Sequence, residues 1–205
     1  SNDPVIEEKS LELMKKCIEL AQDLGVRTIQ LAGYDVYYEE KSPQTRQRFI
    51  KNLRKACDWA EEAQVVLAIE IMDDPFINSI EKYLAVEKEI DSPYLFVYPD
   101  IGNVSAWHND VYSEFYLGHH AIAALHLKDT YAVTESSKGQ FRDVTFGQGC
   151  VKWEEAFDIL KQTNYNGPFL IEMWSENCET VEETRAVIQE AQAFLYPLIK
   201  KAGLM

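Results

Sequence analysis

The sequence predicts a parallel α/β fold in which short buried strands alternate with amphipathic helices. Three observations predict it. Short apolar runs begin near residues 28, 65, 94, 121 and 168. The segments between them carry apolar residues at helical spacing. Most of the runs stay apolar at successive positions, as strands do when both faces are covered.

The chain opens on a helix. Leu11, Met14, Cys17, Ile18, Ala21 and Leu24 recur at helical spacing, and Gly25 follows as a C-cap. Thr28–Ala32 reads as the first strand. Ser42 and Pro43 supply an N-cap and a first helical residue. Phe49, Leu53, Ala56, Ala60 and Ala63 form the stripe of that helix. Val65–Met72 is the second strand and Ser79–Ile90 a helix. Tyr94–Tyr98 is the third strand, with a helix near Asp110–Leu117. Ala121–Leu127 is the fourth, followed by a polar loop and a helix over Trp153–Gln162. Pro168–Trp174 is the fifth, and Val181–Lys200 a last helix. A closed eight-stranded βα barrel needs roughly 250 residues. The chain has 205, so it is expected to form an incomplete barrel of about five parallel strands with covering helices. Residues 3–205 are read as one domain lacking three N-terminal βα units. Ser1 and Asn2 are read as a scar of tag removal.

Composition bounds the function. Hydrophobic residues make up 46% and charged residues 26% of the chain, the balance of a soluble globular protein. No apolar run approaches the roughly 20 residues that span a bilayer, and no leader segment is evident. There are 34 acidic and 20 basic residues, for a net charge of −14. Nucleic acid and membrane surfaces are therefore not expected partners. Cys17, Cys57, Cys150 and Cys178 are scattered without a C-x-x-C pair, which fits reduced thiols in the cytoplasm.

Buried parallel strands should be apolar throughout, yet four runs break that rule near their C-terminal ends. Glu70 sits in Leu67-Ala-Ile-Glu, Asp100 closes Phe96-Val-Tyr-Pro-Asp, His126 sits in Ala123-Ala-Leu-His, and Glu172 sits in Phe169-Leu-Ile-Glu. Any one of them has an ordinary explanation as an edge residue, a turn or a satisfied core histidine. Together they place one metal-ligand type on each of four successive strands, at the side of the sheet where α/β sites gather. Buried carboxylates are costly unless paired or metal-bound. Three carboxylates and an imidazole make a hard site for one divalent ion. Mn²⁺ or Mg²⁺ suits it best, and Zn²⁺ or Co²⁺ is tolerated.

Five strings carry a resemblance: Ile29-Gln-Leu-Ala-Gly-Tyr-Asp-Val-Tyr-Tyr38, Glu70-Ile-Met-Asp73, Tyr98-Pro-Asp-Ile-Gly-Asn103, His126-Leu-Lys-Asp-Thr130 and Ile171-Glu-Met-Trp-Ser-Glu176. The chain resembles the L-ribulose-5-phosphate 3-epimerases, also known as L-xylulose-5-phosphate 3-epimerases, of the xylose isomerase-like TIM-barrel superfamily. The resemblance runs from the first helix to Gly203. It implies that the strands present are family strands 4–8, and that Glu70, Asp100, His126 and Glu172 hold the metal. It further implies that Glu70 and Glu172 move protons at C3 of a ketopentose 5-phosphate, in L-ascorbate catabolism. The chain departs from related sequences at Asn103, where several free-sugar epimerases carry His, and at Gln148, where Glu is frequent.

Asn103, Lys128, Thr130, Trp174 and Ser175 are the candidates for binding the substrate and its phosphate, with the Gly147–Gly149 backbone as a further possibility. Asp73 and Asp129 are expected to orient the ligands. His108, His119 and His120 are read as surface or helix residues. Three other readings stay open: an aldose–ketose isomerase, a nuclease of the endonuclease IV type, and an inactive fragment. The nuclease would need more histidines and a basic groove. An open barrel exposes strand edges, so a homodimer is expected.

Overall fold

The computed structural model describes residues 1–37 and 39–205. Tyr38, which ends one of the strings above, lies outside them. Helices and parallel strands alternate: α1 (Pro4–Leu24), β1 (Thr28–Ala32), α2 (Pro43–Ala63), β2 (Val66–Glu70), α3 (Ile80–Ile90), β3 (Leu95–Tyr98), α4 (Ile101–Ala106), α5 (Val111–Gly118), β4 (Leu125–Leu127), α6 (Trp153–Gln162), β5 (Phe169–Ile171) and α7 (Val181–Ala202). A single 3-10 turn, His119–Ala121, joins α5 to β4.

β1, β2 and β3 form one parallel sheet and β4 and β5 another. Isolated parallel bridges, Val97 with Ile122 and Asp100 with His126, carry the pairing from β3 to β4. The result is one wall of five strands in chain order. The described strands do not close into a barrel. β1 and β5 are its free edges, and Leu170 on β5 is 52% exposed.

Local chemistry explains the elements. Gly25 adopts φ +69° and closes α1 by donating its N–H to Ala21 and Gln22 carbonyls. Ser42 and Thr45 form a reciprocal capping box ahead of Pro43. α6 turns Trp153, Ala156, Phe157 and Leu160 inward. Leu67, Ile69, Leu95, Val97, Leu125 and Leu127 form the buried centre of the wall.

Two helices differ from the sequence reading. α1 begins at Pro4 with Asp3 as its N-cap, because a cap and an N1 proline start a helix before any apolar stripe appears. Its first turns are exposed, with Val5 at 70%, so periodicity is silent there. α4 has no counterpart in the sequence reading. It is six residues long, too short to show a period.

Candidate metal centre

The site grows from the C-terminal ends of the strands. β2 ends on Glu70. β3 ends at Tyr98, and Asp100 follows as the N-cap of α4. Its Oδ1 accepts the Asn103 N–H at 2.7 Å, which turns Oδ2 toward the interior. His126 is the middle residue of β4. Glu172 follows β5 directly, and its N–H donates to the Leu127 carbonyl at 3.0 Å.

These four side chains converge. One ligand atom from each lies within 4.8 Å of all the others. His126 Nδ1 is 2.9 Å from Glu70 Oε1 and 2.9 Å from Glu172 Oε2. It is 3.9 Å from Asp100 Oδ2. Asp100 is completely buried, Glu70 and His126 nearly so, and the Glu172 side chain is the most open at 21%.

The donor set fits a divalent ion. Ligand bonds of about 2.0–2.2 Å put atoms on opposite sides of one ion roughly 4 Å apart, a span this cluster already has. Asp100 Oδ2 is buried without an aligned hydrogen-bond donor, although the Lys128 ammonium lies 3.0 Å away. A buried carboxylate oxygen in that condition is suited to a cation.

Without a metal the protein balances these charges itself. Burial opposes a charged imidazole, but hydrogen bonds and charge from Glu172 and Glu70 push His126 up to about 9. Burial drives the Asp100 carboxyl up, Lys128 offsets only part of this, and Glu172 adds to it. Burial acts the same way on Glu172, but His126, Asp100 and Lys128 hold it below the usual carboxylate range. Lys128 is buried, and Asp100 and Glu172 overcome that burial to hold it above the ordinary lysine value.

Gln30 belongs to the site and was not singled out from sequence. Its amide donates to Glu70 Oε2 at 2.5 Å, fixing the oxygen that His126 does not touch. A lone Gln in an apolar run was the available signal. Tyr98 packs on the His126 ring at 4.6 Å between centroids. Gly102 sits where a Cβ would come within 2.6 Å of the Lys128 carbonyl, so α4 can approach the site only with glycine there.

The remaining candidates separate. Lys128 reaches the cluster, 3.4 Å from Glu172 Oε2, and lies 5.2 Å from the Trp174 ring centroid. Trp174 is half-buried beside it, and Ser175 is exposed on the same loop. Thr130 has no exposure, and its hydroxyl donates to the Gly102 carbonyl at 2.8 Å. It has no surface to offer a phosphate. Asn103 is buried, with its amide on the Ile71 carbonyl at 2.8 Å, so it braces the loop after β2.

The two aspartates do not touch the ligands. Asp73 accepts a hydrogen bond from the Tyr34 hydroxyl. Asp129 accepts N–H groups of Gly147 at 2.8 Å, Gly149 at 3.2 Å and Val151 at 3.3 Å. Those glycine N–H groups are thereby committed and form no anion cradle. Of the four histidines, only His126 is in the cluster. His108 bonds the Val133 carbonyl and His119 the Tyr116 carbonyl, which leaves the nuclease reading without its histidines. A cavity of about 360 Å³ lies between the 143–146 loop, the 173–178 segment and α7, lined by Phe146, Met173, Trp174, Asn177 and Phe194 among others, and none of the four clustered residues lines it.

Residues 1–198 match the family model for the xylose isomerase-like TIM barrel. The chain belongs to that family. Within it, the chain is 51% identical over 205 residues to a Haemophilus influenzae protein, SgbU, provisionally named an L-ribulose-5-phosphate 3-epimerase. The match spans all of this chain and 71% of the relative. It is 46% identical to the L-ribulose-5-phosphate 3-epimerase UlaE of Escherichia coli O157:H7, again over the whole chain and 69% of the relative.

Solved structures agree on the fold. A structure of L-ribulose 3-epimerase superposes with a TM-score of 0.79 at 20% identity, covering 98% of this chain and 71% of that one. D-allulose 3-epimerase from Methylomonas sp. gives 0.76 at 18%, covering 98% and 72%. A xylose isomerase-like TIM-barrel protein of Mycobacterium smegmatis, solved in complex with magnesium, gives 0.65 at 19%, covering 92% and 68%.

Proposed function

We propose that this chain is an isomerase, a carbohydrate 3-epimerase that interconverts L-ribulose 5-phosphate and L-xylulose 5-phosphate through an enediolate. The observation that carries the reading is the placement of Glu70 and Glu172. Their carboxylates come from different strands and meet the same imidazole nitrogen at 2.9 Å each. Epimerisation needs two such groups, one to remove the C3 proton and one to return a proton on the other face. The relatives' names supply the sugar and the position of the reaction.

Glu70, Asp100, His126 and Glu172 would hold one divalent ion, Mn²⁺ or Mg²⁺ by ligand hardness. When bound, the ion polarises the ketose carbonyl and stabilises negative charge next to C3. Glu70, pinned by Gln30, is suited to hold a fixed position against one face of C3. Glu172, more open, is suited to the other. The free state of Cys17, Cys57, Cys150 and Cys178 supports a cytoplasmic setting. No described helix is long and apolar enough to cross a membrane. On this reading the reaction serves L-ascorbate catabolism, as the resemblance implies.

Metal-loaded chain incubated with L-xylulose 5-phosphate tests the reading. L-ribulose 5-phosphate is the expected product. An aldose pentose phosphate would instead identify an aldose–ketose isomerase, and no conversion at all would favour the inactive fragment.

A further inference from the structure

We propose that Gln30 is a positioning residue that divides the work of the two Glu70 oxygens, keeping Oε1 for the metal and Oε2 for the proton at C3. The inference rests on the epimerase reading above and deepens it at one of the two bases.

Register puts Gln30 within reach. Ala32 pairs with Glu70, and Gln30 with Ala68. Gln30 stands two residues before Ala32, so its side chain leaves the sheet on the same face as Glu70. Ile29 and Leu31 alternate to the other face and pack in or against the core. The Gln30 amide crosses from β1 to β2 and donates to Glu70 Oε2 at 2.5 Å. From β4, His126 Nδ1 meets Oε1 at 2.9 Å. The Glu70 carboxylate is thus held at both oxygens, from strands on either side of β2. It cannot turn without breaking one of these contacts.

The division of labour follows from the chemistry of the two contacts. Oε1 sits beside the imidazole nitrogen that also meets Glu172 Oε2, so it faces the other ligands. A carboxylate that met an ion with both oxygens would have to turn Oε2 away from Gln30. An oxygen that accepts one N–H keeps a lone pair for a proton. An amide supplies that N–H without adding a charge to the cluster. Gln30 is exposed, whereas Glu70 is buried, so an amide with water at hand is directed instead at a buried carboxylate. The arrangement belongs to Glu70. At Glu172, the imidazole and Lys128 both reach one oxygen, Oε2.

The test uses Q30M, which keeps the length of the side chain and removes the donor. Because Gln30 is exposed, the change takes nothing from the core. Wild type and Q30M are compared by calorimetric titration with Mn²⁺, by kcat and KM on L-xylulose 5-phosphate, and by crystal structures of the Mn²⁺-loaded chains. Q30M is expected to lower kcat about 10- to 100-fold, with KM within about twofold and Mn²⁺ affinity within about threefold of wild type. The wild-type crystal should show Glu70 on the ion through Oε1 alone with Oε2 on Gln30, and the Q30M crystal a carboxylate turned from that orientation. The proposal is overturned by Mn²⁺ affinity that falls in step with kcat, by an unchanged kcat, or by a wild type that binds no Mn²⁺. It is equally overturned by both Glu70 oxygens on the ion in wild type, or by an unturned carboxylate in Q30M. If wild type binds Mn²⁺ but converts no sugar, the epimerase reading fails, and the two crystal structures alone decide whether Gln30 divides the Glu70 oxygens.

Discussion

At the scale of single residues, the proposed epimerisation rests on Glu70 and Glu172. E70Q and E172Q keep the shape of the side chain but remove its basicity. Each is expected to lower epimerisation by about 10²- to 10⁴-fold, with metal content measured alongside to separate proton transfer from ligand loss. Turnover retained in both variants would sink the two-base scheme. His126 gives a prediction in pH. Its folded value is about 9 against an ordinary 6.5. A raised value of this kind stabilises the metal-free fold fully below pH 6.5, and that stability is lost as pH rises through 9. The Asp100 carboxyl, raised mainly by burial, acts in the same direction, over a window that starts at lower pH and overlaps that of His126. Thermal melts of the metal-free chain should therefore fall between pH 6.5 and 9, by up to about 3 kcal/mol at the melting midpoint. A flat profile would show that His126 is not held by the two glutamates. The metal needs the neutral imidazole, so its binding should release a proton over the same range.

Elements position these residues, and the loop between β4 and α6 is the least regular of the positioning devices. Asp129 is its anchor, collecting Gly147, Gly149 and Val151 N–H groups and the Trp153 indole N–H. D129A would leave those donors without an acceptor. The expected cost is on the order of 1–3 kcal/mol, together with faster amide hydrogen exchange at Gly147, Gly149 and Val151. Unchanged exchange would contradict the anchoring role. The sequence made the strands legible because burial on both faces writes a continuous apolar run, and it made the four ligands legible because each interrupts such a run. It made the caps of α2 legible through Ser42 and Pro43. It left α4 hidden, since six residues show no period, although Asp100 followed by Asn103 is the local sign of a cap. Asp129, read from sequence as orienting the ligands, had its actual role hidden for a different reason. It acts through backbone N–H groups that carry no side-chain signature. Thr130 looked available because a hydroxyl beside a candidate site reads as a binder until its burial is known.

At the scale of the whole molecule, the site sits at the C-terminal ends of a five-stranded wall whose unpaired edges, among the described strands, are β1 and β5. Exposed edges invite pairing, and Leu170 adds an apolar face at one of them. We propose that the chain self-associates as a homodimer. Size-exclusion chromatography with light scattering should give twice the mass of 23.6 kDa, and a monomer across micromolar concentrations would contradict this. At this scale the central claim is that the four-ligand centre breaks and remakes the bond to hydrogen at C3. It is tested most directly by incubating the metal-loaded chain with L-xylulose 5-phosphate in D₂O and locating the label by NMR. Deuterium at C3 of the ketose pool, abolished by chelation of the metal and restored by its return, is the predicted result. Deuterium at C1 with an aldose product, or label at C3 that persists without metal, would contradict the account.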